Sequence, residues 1–208
     1  MNPLTLDLRP LLRLTHREFE KIAAANRDLR LELTADGELI VMPPTGGNTG
    51  RRNADITYQL QAWNRQTQLE VRPVANLIRQ RKAHLGEVFD SSTVFQLPNG
   101  AGRSPDAAWV RLDRWNSLTL EEQETFPPLC PDFVIELRSK TDSLTSLQNK
   151  MLEYMDNGCR LGWLINYQNQ QVEIYRSGKA KEILQSPQIL SGEEVLPGFR
   201  LDLKLIWK

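Results

Sequence analysis

The sequence predicts a mixed α/β fold, and three observations predict it. Two short apolar runs each carry a carboxylate inside or beside them and read as strands: Ser104-Pro105-Asp106-Ala107-Ala108-Trp109-Val110 and Pro131-Asp132-Phe133-Val134-Ile135-Glu136-Leu137-Arg138-Ser139. Segments with helical periodicity open on capping-box patterns at Thr15-His16-Arg17-Glu18 and Thr119-Leu120-Glu121-Glu122. An Asp36-Gly37 pair supplies a hairpin turn between two strand-like stretches, because glycine accepts positive φ. A length of 208 residues suits one domain, residues 1–208, and a hydrophobic fraction of 40% permits a real core.

The elements follow in order. After the Thr15 cap, Phe19, Ile22 and Ala23 fall at helical spacing, and the helix is expected to end near Asn26. Leu29, Leu31 and Leu33 alternate with Arg30 and Glu32 as a strand, and residues 38–42 return as its hairpin partner. Pro43 to Gly50 reads as a loop feeding a helix with Ile56, Leu60 and Trp63 on one face. That loop lacks the Gly-Lys-Ser/Thr ending that grips a nucleotide, so it is read as a plain connection. Residues 69–97 are expected to be strands with turns, and Pro98-Asn99-Gly100 is a turn signal. Residues 103–110 form the first acidic strand. A short helix follows from Thr119, broken by Pro127 and Pro128. The second acidic strand spans 133–137, a helix covers 144–157 with Gly158 as its stop, and 161–166 and 172–175 form a strand pair. Leu196-Pro197-Gly198-Phe199 introduces a last extended stretch.

Formal net charge is zero, from 26 basic and 26 acidic residues, so no global field draws the chain onto nucleic acid or an anionic membrane. A nucleic-acid site must be a local basic patch. Arg51, Arg52 and Arg65 form one candidate and Arg79, Arg81 and Lys82 another, each of which reads more readily as a solvated face when taken alone. Cys130 and Cys159 fit neither a zinc site nor a disulfide scaffold, and reduced thiols in a cytoplasmic protein are expected. Neither a signal peptide nor a membrane span is read from the sequence.

The chemistry rests on strand alternation. Asp132, Val134, Glu136 and Arg138 share one face, and Phe133, Ile135 and Leu137 the other. A carboxylate on a buried strand is costly unless its charge is compensated, and a divalent metal is one compensation. Asp106 and Glu136, on neighbouring strands, are the candidate ligands for Mg2+ or Mn2+, hard ions that prefer carboxylate oxygen. Such an ion would polarise a phosphoryl oxygen and acidify a bound water. A cation is expected beside the phosphate. Lys150 is the first choice, with Tyr154 one turn further along its helix; Arg138 competes, and Lys140 is third. Other readings stay open: Asp106 as a turn residue after Pro105, Glu136 paired with an arginine, Lys150 on a solvated face.

The ordered set Ser-Pro-Asp-Ala-Ala, Pro-Asp-Phe-Val-Ile-Glu-Leu-Arg-Ser, Lys-x-x-x-Tyr and Asn-Gly-Cys-Arg-Leu-Gly-Trp-Leu-Ile-Asn resembles the Uma family of restriction-endonuclease-like proteins, within the PD-(D/E)XK nuclease superfamily. Leu31-Glu32-Leu33 with Asp36-Gly37-Glu38-Leu39, and the late Leu196-Pro197-Gly198-Phe199, extend the resemblance over nearly the whole chain. It implies a single restriction-endonuclease-like domain with a central mixed β-sheet flanked by helices. It implies Asp106 and Glu136 as the acidic pair and matches Lys150 to a lysine on the following helix. Glu32 matches an early glutamate, a further acidic member of the site, whereas strand alternation alone reads it as a solvent-facing hairpin residue. The chain departs from the family at Ser146, where an aspartate is usual, and at Arg138, where many members are apolar.

Two functions compete. One is a magnesium-dependent endonuclease that hydrolyses DNA phosphodiesters with a metal-activated water. The other is a non-catalytic binding or scaffold protein on a nuclease fold. RNA and branched DNA remain alternative substrates. Duplex cutting favours a homodimer, whose interface Trp115 or Trp207 could line if they are not core residues.

Overall fold

The computed structural model describes residues 3–8, 12–66 and 85–208. In chain order it contains β1 (Leu4–Leu6), α1 (His16–Ala25), β2 (Arg30–Leu33), β3 (Leu39–Met42), α2 (Gly47–Gln66), β4 (Gly86–Asp90), β5 (Phe95–Gln96), β6 (Gly102–Arg103), β7 (Ala107–Arg111), α3 (Leu112–Trp115) and α4 (Leu120–Glu124). These are followed by β8 (Phe133–Leu137), α5 (Leu144–Asp156), β9 (Leu161–Asn166), β10 (Gln171–Arg176), β11 (Glu182–Gln185), β12 (Ile189–Ser191) and β13 (Arg200–Asp202).

Two larger sheets organise the molecule. A mixed six-stranded sheet has the order β11-β10-β9-β8-β7-β4, and a five-stranded sheet has the order β1-β3-β2-β6-β5. Within the first, β8 and β9 are parallel and the other pairs antiparallel. A parallel pair needs a crossover, and α5 supplies it. Phe133, Ile135 and Leu137 of β8 pack with Ile56, Leu60 and Trp63 of α2 and with Phe199. Val134 packs on the opposite face with Met151 and Tyr154 of α5. The alternation expected of β8 is therefore the alternation observed, with a helix on each face. Phe19 of α1 covers Leu31 and Leu33 of the second sheet.

Local signals translated well. Both capping boxes form, at Thr15/Glu18 and Thr119/Glu122. The β2–β3 hairpin turns at Asp36-Gly37, with Gly37 at φ 85°. Helix α5 is capped by the Ser143 side chain and ends before Gly158.

Two expectations change. Residues 103–110 are not one strand: β6 belongs to the five-stranded sheet and β7 to the six-stranded one, and the chain crosses between them at Ser104-Pro105-Asp106. Pro105 has no N–H to donate to a ladder, so the break falls where pairing is weakest. Helix α2 starts at Gly47, inside the expected loop. Trp115 packs against Phe89, with ring centroids 5.1 Å apart, and Trp207 donates from Nε1 to the Pro187 carbonyl at 2.8 Å. Both tryptophans thus have intramolecular partners. Of the 69–97 reading, β4 and β5 are present, and residues 69–84, including Arg79, Arg81 and Lys82, lie outside the described residues. No described helix is long and apolar enough to cross a membrane.

Candidate active site

The seam between the two sheets assembles a cluster of charged side chains. Ala107 pairs with Ile135 across the antiparallel β7–β8 ladder, which sets Asp106 opposite Glu136 one step along. Both side chains point to the α5 face, shared with Ala108 and Val134. Strand β2 pairs with β6 through Leu33 and Gly102 and brings Glu32 to the same place. Helix α5 lies over the seam and contributes Lys150, Glu153 and Tyr154.

The contacts are dense. The Lys150 ammonium lies 2.8 Å from Glu32 Oε1 and 2.9 Å from Glu136 Oε1. Tyr154 donates its hydroxyl to the same Glu136 oxygen at 2.9 Å. Arg103 pairs with Glu32 Oε2 at 3.3 Å and with Glu153 Oε2 at 2.5 Å, and the Ser104 amide donates to Glu32 Oε1 at 3.0 Å. Asp106 is held by two donors: the Leu137 amide at 2.8 Å to Oδ2 and Asn53 Nδ2 at 2.8 Å to Oδ1. Glu32 is 3% exposed and Glu136 4%.

Burial pushes Glu136 up to about 7; Lys150 partly offsets this, whereas Asp106 and Glu32 add to it. Asp106 is also raised, first by burial, with the Leu137 amide, Lys150 and Asn53 opposing. Burial works against the Glu32 charge, but Lys150 and Arg103 prevail and hold its carboxyl below the usual range. Burial likewise opposes the Lys150 charge, but Glu136 and Glu32 raise its pKa. Glu32 is thus the satisfied carboxylate, while Asp106 and Glu136 form an acidic pair with charge left to compensate.

Among the described residues, no three His, Cys, Asp or Glu side chains come close enough to enclose an ion. Mg2+ does not require such a cage, since it binds through one or two carboxylates and keeps several waters. The oxygen donors Asp106 and Glu136 fit that requirement.

A family model described as "Uma2: Putative restriction endonuclease" matches residues 16–204. The chain belongs to the Uma2 family. No curated protein matches it. A crystal structure from Anabaena variabilis ATCC 29413, described as "a putative nuclease belonging to DUF820", superposes with a TM-score of 0.71 at 18% identity. The match covers 93% of this chain and 97% of that one. At that identity the likeness is one of fold.

Of the residues read from the sequence of this Uma2 protein, Asp106, Glu136, Lys150 and Glu32 come together. The solvent-facing alternative for Glu32 is overturned, because β6 and α5 cover that face of the hairpin. Arg138 takes a different partner: its Nε donates to the Asp142 carbonyl at 3.2 Å. Strand β8 ends at Leu137, so the alternation that would align Arg138 with Glu136 ends there too. Lys140 is exposed. Asp132 shares the Glu136 face but lies at the other end of β8, where it pairs with Arg114 at 3.0 Å. Sequence reasoning missed Arg103, Asn53 and Glu153. Arg103 stands three residues before Asp106, a proximity that was a usable signal; Asn53 and Glu153 carried none.

Proposed function

We propose that the protein is a divalent-metal-dependent DNA endonuclease that hydrolyses phosphodiester bonds with an activated water. The observation that carries this reading is the convergence of Asp106, Glu136 and Lys150 from two paired strands and the helix above them. Family membership and the fold likeness support the same class of chemistry. Bound between Asp106 and Glu136, Mg2+ or Mn2+ would supply a polarised phosphoryl oxygen and an acidified water.

The chain's own groups have separable roles. The Leu137 amide and Asn53 fix the Asp106 carboxylate, so its remaining lone pairs have a set direction. Glu136, pushed up to about 7 by burial in the metal-free protein, would give up its proton to hold the ion. The Lys150 ammonium offers positive charge to the phosphate as negative charge builds in the transition state. Glu32, itself paired with Arg103, holds that ammonium in place. A homodimer would bring two such centres to the two strands of a duplex.

One observation favours a second reading, a non-catalytic binding protein: Lys150 already bridges Glu32 and Glu136 and neutralises part of their charge. Cleavage of DNA by the purified protein, with added Mg2+ and then with a chelator, separates the two. The nuclease reading expects cleavage only with metal, reduced about a hundredfold or more by Asp106→Ala or Glu136→Ala. Metal-independent cleavage that survives both substitutions contradicts it, and no cleavage with any divalent ion favours the binding protein.

A further inference from the structure

A cleft of about 490 Å3 opens beside Asp106. Its lining includes Asn53, Thr57, Tyr58 and Gln61 from one side of α2, with Thr45 and Ser91 from the flanking loops. The volume is that of a small-molecule site, large enough for one nucleotide unit. Among the described residues, the lining supplies neutral hydrogen-bonding groups and two carboxylates, Asp90 and Asp106. A base stacked and paired inside a duplex presents no free face to such a pocket.

Two features bear on the ligand. Tyr58 is 71% exposed at the cleft, an aromatic face left in water. The Asn53 side chain, also in the lining, is turned by its donation to Asp106 and ties the cleft wall to the acidic pair. Behind the lining, Arg30 donates to the Ser91 carbonyl at 2.8 Å and reaches the Thr45 hydroxyl at 3.5 Å. Its charge also acts on Asp106. A stacking face and nearby positive charge suit a base and its phosphate.

We infer that this cleft takes one unpaired nucleotide of a DNA strand, with the base stacked on Tyr58. The phosphate then lies toward Arg30 and the Asp106–Glu136 pair. This inference rests on the nuclease reading above and narrows its substrate to single-stranded or locally unpaired DNA.

Fluorescence anisotropy with labelled single strands and the matching duplex, in calcium instead of magnesium, tests the inference. The single strand is expected to bind about tenfold or more tightly than the duplex. Tyr58→Ala should cost about tenfold in single-strand affinity, while Tyr58→Phe, which keeps the ring, stays within about twofold. Equal affinity for both forms, or an unchanged Tyr58→Ala variant, overturns the cleft assignment. Magnesium-dependent cutting assayed in parallel separates the two readings. Cutting of duplex alone rejects the cleft and leaves the nuclease. Tyr58-dependent binding of single strands without any cutting rejects the nuclease and leaves the cleft, and neither binding nor cutting rejects both.

Discussion

Asp106 and Glu136 face each other across the β7–β8 ladder, and the Leu137 amide, 2.8 Å from Asp106 Oδ2, ties the first carboxylate to the strand that carries the second. Strand pairing thus sets the backbones of the two residues in register, and the amide contact steadies the Asp106 side chain. In the absence of a metal, burial, with a lesser contribution from Asp106 repulsion, pushes Glu136 up to about 7.

That shift predicts a pH dependence of stability for the metal-free protein. The folded state holds a proton on Glu136 between the ordinary carboxylate value and about 7, where the unfolded chain has released it. The stabilisation is fully present below the unfolded value and is lost as pH rises through about 7. Thermal unfolding in chelator should show the melting temperature falling by several degrees from about pH 5 to pH 8, an effect of about 3 kcal/mol at most. Glu136→Gln should flatten that dependence. A slope of opposite sign in the wild type would contradict the charge assignment.

Binding of a divalent ion should expel the Glu136 proton below about pH 7. Calorimetric titration of Mn2+ in two buffers of different ionisation enthalpy should therefore reveal proton release at pH 6 and much less at pH 8.5. Identical heats in both buffers at pH 6 would place the ion elsewhere.

Lys150→Met leaves Glu32 and Glu136 facing each other without the ammonium between them. Removing one partner of a buried ion pair costs about 3–5 kcal/mol, which urea denaturation of the metal-free variant would register. A loss below about 1 kcal/mol would show that Arg103 alone satisfies Glu32.

Tyr154→Phe removes one donor from Glu136 Oε1 and leaves the ring in the core. The expected cost is about 1–3 kcal/mol, with the Glu136 titration moved further up. An unmoved titration would mean that the hydroxyl does not bond to the carboxylate in solution.

Arg138→Leu separates a loop role from a site role. Its Nε reaches the Asp142 carbonyl rather than the cluster. Metal-dependent cleavage should stay within about twofold of wild type, and a loss of tenfold or more would return Arg138 to the site.

Much of the centre was legible because strand alternation assigns faces. An acid inside the Phe133–Leu137 run marked Glu136 as a candidate, and the order of the motifs, matched to the family, added Asp106 and Lys150. Alternation did not reveal what covers a face. Glu32 sits on a short hairpin strand like many solvated residues, and it is buried only because β6 and α5 close over it. The two-sheet crossing at Pro105 was hidden for the same reason: residues 103–110 look continuous locally, and partner choice is a tertiary property. Asn53 lies one turn before the core-facing Ile56 on an otherwise ordinary helix, and its significance depends wholly on where Asp106 lands.

Crystals soaked in Mn2+ and measured for anomalous scattering decide whether the acidic pair holds a metal. One peak is expected between the carboxylates of Asp106 and Glu136, absent when either is replaced by its amide. No peak there, or a peak unaffected by those replacements, would contradict it.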